Sequence, residues 1–87
     1  MEISVWDTFV QRKDNKIMHF DILVPSDFKN QEKIMAFGKS YLNTKNFETE
    51  NISSKKCSFC HIENASEKTI NTINKYGFDI VEIENCD

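Results

Sequence analysis

The chain has 87 residues, a formal net charge of −3 and a sequence pI of about 5.3. That length supports one domain with a modest core, and the acidic balance excludes nucleic acid and anionic membranes as main partners, because both recruit basic surfaces. No apolar run approaches the roughly 18 residues of a membrane span. The start, Met1 to Trp6, lacks the basic and apolar regions of a signal peptide, so a cytoplasmic, reducing setting is expected. In that setting the three cysteines are read as metal ligands, reactive thiols or inert side chains before they are read as disulfides.

Glu2 to Val10 alternates apolar and polar residues and is rich in β-formers, as is Lys16 to Val24; both read as strands. The polar run Gln11 to Asn15 between them makes a hairpin, and Pro25-Ser26-Asp27 ends the second strand. Ile34, Met35, Phe37, Gly38, Tyr41 and Leu42 recur at helical spacing, with Asn30 or Ser26 as the cap. Phe47 to Ile52 is the next expected strand, and the cysteine stretch after it reads as a loop. Asn64 or Ser66 starts a second helix, with Ile70, Ile73 and Tyr76 on its buried side and Gly77 just past its end. Phe78 to Ile83 is the last strand. The expected fold is a single α+β domain over residues 1–87, in ββαβαβ order, with a mixed sheet and two helices packed on one face.

With Asp14-Asn15 at the turn centre, Phe9 faces Phe20, Asp7 faces Ile22 and Val5 faces Val24. The opposite face then carries Trp6, Thr8, His19 and Asp21, a candidate functional face on which Asp21 orients His19. Asp7 falls in the apolar row and needs a partner.

The densest chemical signal is Cys57-Ser58-Phe59-Cys60-His61. Two cysteines flanking two residues grip a soft metal when a tight turn converges their thiolates. Cys86, near the C-terminus, can return to them, and His61 or His19 completes a Cys₃His set for zinc. The simplest alternative is three small buried hydrophobes and no metal. The C-x-x-C-H pattern also matches c-type haem attachment, which is rejected because no export signal is present. A thiol enzyme or redox protein is the rival reading, with Cys57 or Cys60 as thiolate and His61 or His19 as base. No Gly-rich phosphate loop, serine nucleophile elbow or paired-carboxylate motif occurs.

Val5-Trp6-Asp7-Thr8-Phe9-Val10, Met18-His19-Phe20-Asp21, Cys57-x-Phe59-Cys60-His61, Gly77-Phe78 and Cys86 resemble the small bacterial family catalogued as domain of unknown function two-thousand-twenty-four. The resemblance spans nearly the whole chain and contains every cysteine and histidine. It implies a compact α/β domain of a soluble bacterial protein and no established activity. Asp14-Asn15 stands where members resemble Asp-Gly, and asparagine tolerates the same left-handed turn. Cys57-Ser58-Phe59-Cys60 is also similar to the first knuckle of the zinc finger in bacterial unfoldase ATPases, whose second cysteine pair is absent here.

The resulting expectation is a zinc-binding domain using Cys57, Cys60, His61 and Cys86 in a structural or interaction role. A Cys/His enzyme and a metal-free module that binds a protein partner are the alternatives, and a homo-oligomer is left open.

Overall fold

A computed structural model describes Met1–Asp87. Its elements are β1 (Glu2–Gln11), β2 (Ile17–Pro25), α1 (Gln31–Leu42), one 3₁₀ turn at Ser54–Lys56, β3 (Cys57–Asn64), α2 (Glu67–Tyr76) and β4 (Asp79–Glu84). The strands form one sheet in the order β3-β1-β2-β4, and every neighbouring pair is antiparallel. The expected mixed sheet is therefore corrected. The third strand is also displaced: Phe47 to Ile52 makes only an isolated bridge, Arg12 to Thr49, while the cysteine stretch forms β3.

The hairpin turn sets the register of the central pair. Gln11 pairs with Ile17, the Arg12 N–H donates to Lys16 O, and Asn15 takes a positive φ of 71°. This is a three-residue loop, Lys13-Asp14-Asn15, closed by a left-handed residue. A two-residue loop centred on Asp14-Asn15 would put every partner one position away. Thr8 therefore faces Phe20, Trp6 faces Ile22, Asp7 faces Asp21 and Phe9 faces His19. Because side chains alternate along a strand, a slip of one residue exchanges the faces of one strand relative to the other.

One face gathers Val10, Met18, Phe20, Ile22 and Val24 under Ile34 of α1, with Cys57 and Cys86 in the same cluster. Met18, Phe20, Ile22 and Val24 are completely buried, each contributing about 1.5–3 kcal/mol of transfer free energy. The other face packs Ile3, Val5 and Leu23 against Ile73 of α2. The helices thus lie on opposite faces of the sheet and not together on one. Each face of the central strands carries an apolar row, and each row needs its own cover.

Asn30 caps α1 by accepting from Lys33 N–H (3.1 Å), and Ser66 caps α2 by accepting from Thr69 N–H (3.2 Å). Gly77 closes α2 at φ 89°, a left-handed conformation in which a side chain would be strained. Of the expected α2 face, Ile73 is buried beside Thr69, whereas Tyr76 is exposed. No helix is long and apolar enough to cross a membrane.

Arg12 ties down the C-terminal segment. It is buried, donates through Nε and Nη2 to both carboxylate oxygens of Asp14 (3.0 and 2.6 Å), and donates through Nη1 to Asn85 O and Asp87 O (3.0 and 2.9 Å). Its guanidinium lies 3.7 Å over the Phe47 ring. This clamp holds the segment that places Cys86 in the core. Lysine cannot reproduce the planar fork, so Arg12→Lys should cost about 1–3 kcal/mol. The expected result is a lowered urea midpoint with Cys86 opened to alkylation in native buffer. An unchanged midpoint with Cys86 still protected would contradict the clamp.

Candidate functional site

α2 covers only the Ile3, Val5 and Leu23 end of its face of the sheet. The register carries the same face onward through Asp7 and Phe9 of β1, His19 and Asp21 of β2, and Ser58 of β3 opposite Asp7. Asp7 and Asp21 are direct cross-strand partners, and His19 sits diagonally between them. His19 Nε2 hydrogen-bonds Asp7 Oδ1 and lies 3.9 Å from Asp21 Oδ1. Phe9 stacks on the imidazole with ring centroids 4.1 Å apart, fixing its plane. Donor atoms from Asp7, His19 and Asp21 all fall within 4.8 Å of one another, and no other such group of three exists in the chain.

Two carboxylates directly opposed on neighbouring strands repel. Their energetics show in Asp21, whose pKa is pushed up to about 6. Burial is the main cause, followed by the hydrogen bond and the negative charge of Asp7; the positive charges of His19 and His61 oppose it. Asp21 therefore keeps its proton to a higher pH than an ordinary aspartate does.

The expected thiol set does not assemble. No three of Cys57, Cys60, His61 and Cys86 bring their donor atoms within 4.8 Å of one another. Cys57 is fully buried on the α1 face, where Thr8 Oγ1 donates to its sulfur at 3.5 Å. Burial raises its thiol pKa, and the Thr8 contact only partly offsets this. Cys86 is buried after β4, at the far edge of the sheet from β3, with its thiol donating to His19 O (3.3 Å) and Glu84 O (3.4 Å). Cys60 is exposed. The cause is that the Cys57-x-x-Cys60 stretch is a strand and not a turn: about 3.3 Å per residue separates its ends instead of converging them.

The expected face of Trp6, Thr8, His19 and Asp21 is split by the register. Trp6 and Thr8 point to the α1 side, Thr8 fully buried and Trp6 edge-on to Phe59 at 6.2 Å. His19 and Asp21 point to the other side, where Asp7 joins them. Asp7 was legible only as a charge in need of a partner. A surface groove of about 730 Å³ lies between α1 and residues 47–52, remote from this chemistry. Its lysines, glutamates and asparagines include no converging donor set.

A family model described as domain of unknown function (DUF2024) matches residues 1–83. The chain belongs to this family. Among solved structures, the NMR structure of protein NE1680 from Nitrosomonas europaea is similar over 100% of both chains, with a TM-score of 0.85 and 36% sequence identity. No curated protein matches. This member of the family folds as a four-stranded antiparallel sheet with two helices.

The raised pKa of Asp21 has a measurable sign. An aspartate at about 6 when folded and near 3.8 when unfolded takes up a proton on folding between those values. Its contribution to stability is complete below 3.8 and is lost as the pH rises through 6. In chelator-treated buffer, Asp21→Asn should match the parent near pH ~4 and be more stable near pH ~7, on the order of 1 kcal/mol after allowing for solvent screening. Urea midpoints at the two pH values check this, and a difference that does not grow with pH would contradict it.

Proposed function

We propose that this DUF2024 domain is a metal-dependent binding module that holds a transition-metal ion of the zinc class between Asp7, His19 and Asp21. The observation that carries the reading is the convergence of those three donors on the half of the sheet that α2 leaves open. An imidazole with two carboxylates suits zinc and its first-row neighbours; calcium and magnesium favour all-oxygen shells. A cation there would also relieve the repulsion between the two opposed aspartates.

The count of donors favours an interaction role over a structural one. Structural zinc sites are closed by four protein ligands, whereas three ligands leave a position for water or an incoming group. The domain also has its own core, with Phe20 and its neighbours completely buried on the α1 side. Around the donors, Phe9, Ile17 and Val81 are exposed apolar residues, and the register puts all three on this face. They offer a ligand an apolar rim beside the ion.

Zinc titration followed by calorimetry tests the reading. One equivalent should bind the parent protein. His19→Ala and Asp7→Asn should each weaken binding by at least about tenfold, judged against the effect of disturbing groups that merely support a metal ligand. Cys57→Ser and Cys86→Ser should leave the affinity unchanged. Binding that survives His19→Ala and disappears in Cys60→Ser would move the ion to another site and overturn the proposal.

A further inference from the structure

The β1–β3 ladder contains one irregularity. Val5 pairs with His61 and Trp6 with Phe59, which leaves Cys60 as the extra residue of a β-bulge. On a regular strand, neighbouring side chains point to opposite faces and cannot touch. A bulge re-aims a side chain, and here it turns the exposed Cys60 thiol to within 3.2 Å of His61 Nδ1. His61 Nε2 is in turn 2.8 Å from Glu63 Oε1, two residues on, where strand geometry returns to the same side. The carboxylate accepts from Nε2–H, which leaves Nδ1 as the acceptor facing the thiol. The result is a sulfur nucleophile, a base within reach and an acid that orients the base, the arrangement that activates a cysteine.

We infer that Cys60, His61 and Glu63 form a reactive-thiol site that exchanges with low-molecular-weight disulfides. His61 Nδ1 takes the Cys60 proton, and Glu63 stabilises the imidazolium. The thiolate attacks one sulfur of the incoming disulfide R–S–S–R; the Cys60–S–S–R bond forms as the R–S–S–R bond breaks, and R–S⁻ leaves. His61 returns the proton to the leaving sulfur. The small disulfide is the oxidant, and the net products are the Cys60 mixed disulfide and R–SH.

The exchange stops there because no second thiol can resolve it. Cys57 is three residues away along an extended strand, roughly 10 Å at about 3.3 Å per residue, and a disulfide needs Cα atoms within about 7 Å. It is also fully buried on the α1 side, and Cys86 is buried past the opposite edge strand. The adduct therefore persists until an external thiol removes it, making Cys60 a reversible modification site of monothiol type. This site shares no residue with Asp7, His19 and Asp21 and stands whether or not they bind metal.

Oxidised glutathione is a suitable probe, added to the reduced protein in chelator-containing buffer and followed by intact mass and peptide mapping. One adduct per chain should form, on Cys60, and dithiothreitol should reverse it. His61→Gln should slow its formation by at least about tenfold, and Glu63→Gln by a smaller factor, in line with loss of a positioned base and of its orienting group. Cys57→Ser should leave the rate and the position of the adduct unchanged, because the buried thiol takes no part in the exchange. An adduct on Cys57 or Cys86, or a Cys60 rate unchanged in His61→Gln, would overturn the inference.

Discussion

The left-handed conformation of Asn15 closes the hairpin on three residues, and the rest of the molecule depends on the register this sets. With that register, Phe20 stands opposite Thr8 and Ile22 opposite Trp6, so the even-numbered residues of both strands form one continuous floor for α1. The odd-numbered residues form the floor for α2, and beyond its reach the same row delivers Asp7, His19 and Asp21 to solvent. A single backbone angle in a surface turn thereby couples core assembly to the placement of the polar cluster. Arg12, at the mouth of the turn, extends the coupling to the C-terminus through Asn85 and Asp87.

The two kinds of chemistry in the chain are segregated by strand. The central strands β1 and β2 supply oxygen and nitrogen donors on a rigid surface. The edge strand β3 supplies sulfur, with Cys57 turned inward and Cys60 turned outward by the bulge. His61 links the two regions electrostatically, since its positive charge lowers the pKa of Asp21 across β1. The polar cluster is costly: Asp21, partly desolvated and opposed by Asp7, keeps its proton at a pH where ordinary aspartates have lost theirs. Such frustration is what a binding site, as distinct from a stabilising network, is built from.

Much of the secondary structure was legible because it rests on local rules. The strand alternation of β1 and β2, the Asn30 and Ser66 caps and the Gly77 terminus are all written in nearest-neighbour chemistry. Three features were not. The register turned on whether Asn15 or the Asp14-Asn15 pair closed the turn, and both readings keep the same alternation. β3 was hidden because only Cys57 of its eight residues is buried, so the strand shows no period-two pattern, and the bulge breaks what little alternation is left. The placement of the helices on opposite faces follows from the register, so an error in one carried into the other. The same register decides the polar cluster: it puts Asp7 on the face of His19 and Asp21 and turns Trp6 and Thr8 to the other. The spacing of Cys57 and Cys60 does not mark a metal site here, because such spacing is informative only when the intervening residues form a turn, and these form a strand.

In the proposed module, oxygen and nitrogen donors on the open sheet face, and not the thiols, bind the ion. X-ray absorption at the zinc edge of the protein loaded with one equivalent tests this most directly. The expected spectrum shows a first shell of oxygen and nitrogen at about 2.0–2.2 Å that includes one imidazole. A sulfur shell at about 2.3 Å would contradict it and return the ion to the cysteine stretch.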